Sequence, residues 1–213
     1  MSHLLALPLM LLALHQPYDS TIRPVPPSAR QMLIEGRAWK PGCPVPLRDL
    51  RLLTVTHWGF DERVHDGQLI VHEDVAASLS KVFRRLYQLR FPIRHMRLAD
   101  LYDPKEWPAD GDVSGSFECR QSVPSPCVGG SASGRWSNHA YGYALDLNPR
   151  ENPYIGCGKT RDPTRARYLN RSRLSKGMVT PAVVEAFRSI GWGWGGSWTG
   201  RTKDYMHFSI NGR

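Results

Sequence analysis

Ser137-Asn-His-Ala-Tyr-Gly-Tyr-Ala-Leu-Asp146, followed near the end of the chain by Asp204-Tyr-Met-His-Phe208, is the stretch of sequence that decides the fold. It contains two histidines, His139 and His207, and one carboxylate, Asp146. Two neutral imidazoles and one carboxylate form a three-ligand set suited to zinc, with the fourth tetrahedral position left open for water. The fold therefore has to bring two distant segments of the chain together around one ion.

The first motif predicts a strand that follows a bend. In a strand at residues 144–148, Leu145 and Leu147 would be buried, and Asp146 would point to the opposite face. His139 lies seven residues before Asp146, an odd offset that places it on the wrong face of one continuous strand. We therefore expect a bend near Tyr141-Gly142, where glycine permits the turn.

The second motif needs a turn as well. In a regular strand Asp204 and His207 would point in opposite directions, so a shared role requires a turn just before Met206. A spare carboxylate beside the metal site is what metal-assisted hydrolysis needs as a proton acceptor. These residue types predict a zinc peptidase.

The overall composition is that of a globular protein with a basic surface. The chain has 213 residues, of which 41% are hydrophobic and 22% are charged, and its formal net charge is +9. This balance is sufficient for one domain with an apolar core. The positive charge favours an anionic partner, and nucleic acid, an acidic membrane and anionic cell-wall polymer all have the required sign.

The N-terminal region predicts export. Residues 4–14 form an apolar run that is too short to span a bilayer as a helix but has the length of a signal-peptide core. No Lys or Arg precedes this run, and no clean cleavage motif follows it. Residues 15–46 are rich in proline and predict a tether and an entry loop. We therefore divide the chain into an N-terminal segment, residues 1–40, and a peptidase domain, residues 41–213, that is secreted or held at the cell envelope.

Cysteine usage agrees with an oxidising compartment. The four cysteines are Cys43, Cys119, Cys127 and Cys157, and none of them forms a C-x-x-C pair. This favours one or two disulfides over a structural zinc knuckle. The spacing leaves all three pairings open, and free buried thiols are the alternative.

The secondary-structure pattern predicts an α+β fold. Strands are predicted at residues 50–56 and 68–72, and a helix with one apolar stripe at residues 73–90. Residues 91–98 are expected to be extended, and residues 103–136 to form a long loop. Thr180-Pro181 starts a second helix by the N-cap rule, and a glycine–tryptophan loop at residues 191–198 leads to a last strand around His207.

The two motifs together, S-x-H-x-x-G-x-A-x-D and a closing D-x-x-H-F, resemble the VanY-like D-alanyl-D-alanine carboxypeptidases. These belong to a zinc group that includes lysostaphin-type enzymes and the hedgehog domain. The resemblance covers about residues 40–210, and further family-like segments lie at residues 42–46, 91–94, 117–120, 148–149, 152–154 and 191–196. It implies a small antiparallel sheet that carries the zinc site, flanked by helices and long loops.

The resemblance also implies roles for individual residues. It implies that His139, Asp146 and His207 are ligands of Zn²⁺ and that Asp204 is the general base, where many relatives have Glu. Arg120 matches an arginine held over the substrate, suited to a carboxylate or a developing oxyanion. Ser137 matches a serine that either binds substrate or orients His139.

Three weaker predictions concern the surroundings of the site. Trp192, Trp194 and Trp198 either wall a substrate groove, with Trp194 as the predicted contact, or pack in the core. The basic residues between 159 and 173 either form a solvated loop or attract anionic cell wall. Cys43 and Cys119 lie in family-like segments, which predicts the pairs Cys43–Cys119 and Cys127–Cys157.

The implied function is cleavage of peptidoglycan stem peptides by a monomer. Removal of the terminal D-alanine is the first expectation, and an L-alanyl-D-glutamate endopeptidase of the lysin type is the second. A non-catalytic, zinc-stabilised binding module for cell wall is the alternative from another class. Nucleic acid is not an expected partner, because no nucleic-acid motif accompanies the positive charge.

Overall fold

The computed structural model describes residues 16–123, 127 and 134–213. Its first sheet has three antiparallel strands in the order β1 (Ser20–Pro24), β2 (Leu50–Trp58) and β3 (Val64–His72). β2 and β3 confirm the two predicted strands, although β3 begins four residues earlier. The predicted signal core, residues 4–14, lies outside the described residues.

The segment predicted as a proline-rich tether is largely folded. β1 pairs with β2, and helix α1 (Pro27–Glu35) follows with a proline at its first turn, where no backbone N–H is required. Val25, Ala29 and Leu33 are buried in a core cluster. The prediction of a tether is therefore wrong for residues 20–35, because these prolines occupy a strand end and a helix start rather than a linker.

Helix α2 (Glu73–Gln88) packs its apolar face on the first sheet. Val75, Leu79 and Val82 are buried in one cluster with Leu53 and Val55 of β2. The His72 side chain caps the helix by accepting a hydrogen bond from the amide of Asp74 at 3.2 Å. This confirms the predicted helix. Its apolar stripe covers one face of the first sheet.

The second sheet is much smaller and carries the two sequence motifs. A short helix α3 (Leu98–Tyr102), which the extended pattern of residues 91–98 did not predict, precedes the long loop. Strand β4 (Ala144–Asp146) follows that loop, and β5 (Tyr154–Ile155) lies in the next irregular segment. Helix α4 (Pro181–Arg188) begins at the predicted cap, where the Thr180 hydroxyl accepts from the amide of Val183.

The last three strands complete this sheet and a smaller ladder. β6 (Gly193–Trp194) and β8 (His207–Ser209) join β4 in the antiparallel order β4-β8-β6, while β7 (Lys203–Asp204) pairs with β5. The Phe187 ring of α4 stacks on Phe208 of β8 with ring centroids 3.8 Å apart. Helix α4 thus packs against the sheet that carries the motifs and joins it to the hydrophobic core.

The mixed α+β class is confirmed, with small antiparallel sheets, few helices and long loops. The structure contains both predicted disulfides, Cys43–Cys119 and Cys127–Cys157. In the described parts of the chain, no helix has the length and apolar character needed to cross a bilayer.

Candidate metal centre and active site

His139 is placed by the bend that the sequence predicted. The Ser137 hydroxyl accepts from the amide of His139 at 3.3 Å and starts one turn of 3₁₀ helix at residues 138–141. Gly142 ends this turn with a φ of 73°, and a Cβ there would lie 2.6 Å from the backbone nitrogen of His72. Only glycine fits both the conformation and the space. The chain then enters β4 with Asp146 on the required face.

Cross-strand pairing brings the second motif to the first. Asp146 of β4 lies opposite His207 of β8, so their side chains are on the same face of the sheet. Residues 205–206 form the bend between β7 and β8, where the sequence predicted a turn just before Met206. The bend allows Asp204 and His207 to serve one site.

Three donor atoms converge at this face. His139 Nε2 lies 3.2 Å from His207 Nδ1 and 3.4 Å from Asp146 Oδ1, and His207 Nδ1 lies 3.2 Å from the same carboxylate oxygen. Ligands about 2.0–2.1 Å from a tetrahedral zinc ion lie about 3.3–3.4 Å from one another. The spacing of the three atoms therefore fits three ligands of one metal ion.

The surroundings of His139 select its ligating nitrogen. Its Nδ1 donates to the carbonyl oxygen of Ser116, which leaves the lone pair of Nε2 facing the other two donors. A backbone acceptor of this kind fixes the tautomer and the ring orientation of a metal-binding histidine. Ser116 lies in the long loop, which runs beside β4 through a bridge between Gly115 and Asp146.

The electrostatics of the three residues favour an ionised carboxylate. Burial alone would raise the pKa of Asp146, but the charges and hydrogen bonds of His139 and His207 hold it well below its usual range. Burial lowers the pKa of His139, and the Asp146 carboxylate more than offsets this, so its pKa is raised. The three groups attract a cation, and a metal ion would replace the proton that this arrangement otherwise favours.

Asp204 stands next to this group in an unusual environment. Its Oδ1 is buried, with no hydrogen-bond partner in the described structure. Burial, and next the charge of Asp146, raise the pKa of Asp204 to about 7. A carboxyl group tuned to neutral pH can both accept and return a proton.

A cavity of about 690 Å³ opens in front of these residues. It is lined by the site residues Ser137, His139, Asp146, Asp204 and His207, and by Arg120, Tyr154, Arg161, Arg165 and Trp198 among others. This size is sufficient for a ligand of several residues. Of the seven residues that the sequence predicted for the site, six line this cavity and Trp194 does not.

The structure places Trp194 away from this cavity. Its indole N–H donates to the carbonyl oxygen of Tyr205, and its ring stacks near Phe208, so the side chain packs against the core. A Cβ on Gly196 would lie 2.2 Å from this ring. Trp198 lines the cavity instead, with its ring centroid 6.2 Å from that of His207.

Arg120 and Ser137 both reach the cavity but already have protein partners. The Arg120 guanidinium donates to the Glu118 carboxylate at 2.7 Å, and about two fifths of its side chain is exposed. The Ser137 hydroxyl caps the turn that holds His139. The structure thus supports an orienting role for Ser137.

Two asparagines of the family-like segments hold the loops that follow β4. Asn148 donates to the carbonyl oxygens of Pro92 and Gly177, while Asn152 donates to Gly177 and accepts from the amide of Val179. Both side chains are fully buried. They keep the backbone after Asp146 in place.

Sequence reasoning did not identify Tyr154 or Arg161 as residues of the site. Tyr154 is in the segment 152–154 that resembled the family, and Arg161 is in the basic run. The position of Tyr154 at the cavity depends on the pairing of β5 with β7, which joins residues about 50 positions apart.

Residues 131–210 match the family model described as D-alanyl-D-alanine carboxypeptidase. The matched range includes His139, Asp146, Asp204 and His207. The resemblance found in the sequence is confirmed over this part of the chain, and the match supports a peptidase. No curated protein and no solved structure matches the chain.

Proposed function

We propose, from the peptidase family match over residues 131–210, that this chain is a zinc-dependent peptidase that removes the terminal D-alanine from peptidoglycan stem peptides. The observation that carries the proposal is the convergence of His139, Asp146 and His207 within hydrogen-bonding distances of one another. Asp204 lines the same cavity.

The metal would be held by His139 Nε2, His207 Nδ1 and one oxygen of Asp146. Nitrogen and carboxylate oxygen donors of this kind suit zinc, and three protein ligands leave one position for water or substrate. When bound, zinc lowers the pKa of water and polarises a carbonyl group. A non-catalytic module would need these ligands, but not a second carboxylate beside them whose buried Oδ1 has no partner among the described residues.

Asp204 would move the proton. In its ionised form it accepts the proton of the attacking water, and in its protonated form it returns that proton to the leaving amine. Its position supports both steps, because Oδ1 is buried and no protein donor competes for it among the described residues. Gly195 packs closely against this residue, since a Cβ on Gly195 would lie 2.5 Å from the carbonyl oxygen of Asp204.

Two arginines supply positive charge along the cavity. Arg120 would stabilise the developing oxyanion as a fixed cation held by Glu118. Arg161 has no hydrogen-bond or ion-pair partner in the described parts of the chain, so its guanidinium is available for the carboxylate of a stem peptide. A free cation of this kind favours cleavage near a chain end.

A second cavity favours an endopeptidase as the second candidate. It has a volume of about 250 Å³ and reaches the site from another side, since His139 and Asp146 line both cavities. Its wall also contains Arg37, Leu101 and Trp107. A substrate that continues into this cavity would extend on both sides of the scissile bond.

Export to the cell envelope is part of the same proposal. Two disulfides are typical of proteins in an oxidising compartment. The net charge of +9 would favour association with anionic cell-wall polymer. We propose that the protein acts there as a monomer, with no role for nucleic acid.

The test is digestion of purified muropeptides by the purified chain, with and without a chelator, followed by mass analysis of the products. We expect loss of one alanine from pentapeptide stems, abolition of this activity by the chelator, and recovery on addition of zinc. Cleavage between L-alanine and D-glutamate would support the endopeptidase. An intact substrate with a fully zinc-loaded protein would support the binding module.

A further inference from the structure

We infer that Tyr154 is a further catalytic residue, whose phenol donates a hydrogen bond to the carbonyl oxygen of the scissile bond as negative charge develops on it. This inference rests on the proposed peptidase function. It adds a phenol donor to a site in which the sequence motifs supplied the metal ligands, a carboxyl base, Arg120 and Ser137. No proton leaves Tyr154 at any stage.

The position of Tyr154 follows from the pairing of two short strands. Tyr154 of β5 lies directly opposite Asp204 of β7 in an antiparallel ladder. Side chains of directly opposed residues lie on the same face, with Cβ atoms about 4.5–5.5 Å apart. Both residues line the large cavity. The phenol is therefore adjacent to the general base and faces the space that a substrate would occupy.

The Tyr154 hydroxyl is available for a substrate. It has no hydrogen-bond partner among the described residues, and its side chain is partly buried. The hydroxyl is not among the buried polar atoms that lack a partner, so a ligand in the cavity can reach it. The Oδ1 atom of the neighbouring Asp204 also lacks a partner in the part of the chain that the structure describes. A peptide bond in the cavity, with its carbonyl oxygen near Tyr154 and its amide near Asp204, would satisfy both groups.

The electrostatic surroundings keep Tyr154 a donor. Burial raises the pKa of its phenol, and the Asp204 carboxylate raises it further, while Arg161 opposes the shift. The hydroxyl is therefore protonated at neutral pH. A tyrosine that stays neutral cannot act as the base, but it can stabilise an oxyanion.

The backbone around Tyr154 is held in place before any substrate binds. Pro153 and Ile155 on either side are buried, and Asn152 is anchored by hydrogen bonds to Leu147 and Gly177. On the other side, Cys157 is joined to Cys127. Fixed donors stabilise a transition state better than mobile ones, because no reorganisation is needed during the reaction.

The test removes one oxygen atom with Tyr154→Phe and compares the variant with Tyr141→Phe. Tyr141 stacks on Tyr143 and is not among the residues that line the large cavity. We expect Tyr154→Phe to lower kcat about 100-fold, the effect of losing one oxyanion donor, with little change in KM. Tyr141→Phe should match the wild type. Zinc content and the urea midpoint should be unchanged in both, since the Tyr154 hydroxyl has no hydrogen bond to any described residue.

A phosphinate analogue of the tetrahedral intermediate provides a second measurement. Tyr154→Phe should weaken its binding by a factor similar to the loss in kcat, and should leave binding of the peptide product unchanged. A rise in KM with unchanged kcat, or equal weakening of analogue and product, would overturn the catalytic role. The two failures are distinct. Wild-type protein that neither cleaves stem peptides nor binds the phosphinate contradicts the proposed function as well, whereas an active Tyr154→Phe variant contradicts only this inference.

Discussion

The close contact between Gly195 and Asp204 predicts a strong kinetic effect from one added methyl group. A Cβ on Gly195 would lie 2.5 Å from the carbonyl oxygen of Asp204 and 2.9 Å from its Cβ. Carbon atoms in ordinary contact are about 3.5–4.0 Å apart, so in Gly195→Ala the β7 backbone must move by about 0.5–1 Å. The obstacle is backbone, and rotation of a side chain cannot relieve it.

A displacement of this size at a proton-transfer residue costs about 100-fold in rate. We therefore expect Gly195→Ala to lower kcat for stem-peptide cleavage about 100-fold and to retain one zinc per chain. Ser197→Ala is the matched control, because it also places alanine in this turn but at an exposed position without a hydrogen bond among the described contacts. Enzyme kinetics measure kcat of both variants, and elemental analysis measures their zinc content.

A double-mutant cycle tests whether the effect acts through Asp204. If it does, Gly195→Ala should have almost no further effect in a protein that already carries Asp204→Ala. Full activity of Gly195→Ala would refute the reasoning, and so would loss of zinc in proportion to loss of activity. The latter result would mean that the methyl group disturbs the ligands rather than the base.

Three other changes have distinct expected outcomes. Asp204→Ala should bind zinc normally and lose at least 100-fold in kcat, and near-native turnover would remove Asp204 from the mechanism. Burial, and next the interaction with Asp112, raise the pKa of Glu151 from 4.5 to about 7. Between these two pH values the folded state binds a proton that the unfolded state has lost, so Glu151 makes the free energy of unfolding fall as pH rises. Glu151→Gln should therefore reduce the difference in urea midpoint between pH 5 and pH 8. Trp198→Ala should raise KM with little loss of stability, whereas Trp194→Ala should lower the free energy of unfolding by about 3 kcal/mol and leave KM unchanged in the folded fraction.

The local shape of the site could be predicted from the sequence because its constraints are local, whereas the roles of the two motifs as one ligand set were implied by the family resemblance. The alternation of Leu145, Asp146 and Leu147 determines which face each occupies, and the odd offset to His139 requires the bend that Gly142 provides. The turn before His207 follows from the same parity argument. These features depend on backbone geometry within a few residues, and the order of apolar, polar and glycine residues in the sequence indicates that geometry.

Features that depend on long-range pairing were missed. β1 and α1 were predicted as a tether, because prolines at their positions are also compatible with a linker. Only the pairing of β1 with β2, which the local sequence does not reveal, distinguishes the two. Tyr154 reaches the site only through a ladder of two residues per strand. Whether Trp194 or Trp198 lines the cavity depends on the direction in which each ring points. The glycines between the two residues permit many backbone conformations, so the sequence does not determine these directions.

The most direct test of the central claim is the zinc stoichiometry of the purified protein beside that of His207→Ala. If His139, Asp146 and His207 hold one ion, the wild-type protein contains one zinc per chain and the variant loses it on dialysis, with both disulfides intact. One equivalent of zinc retained by His207→Ala at unchanged affinity, or no zinc in the wild type after incubation with excess metal, would contradict the claim.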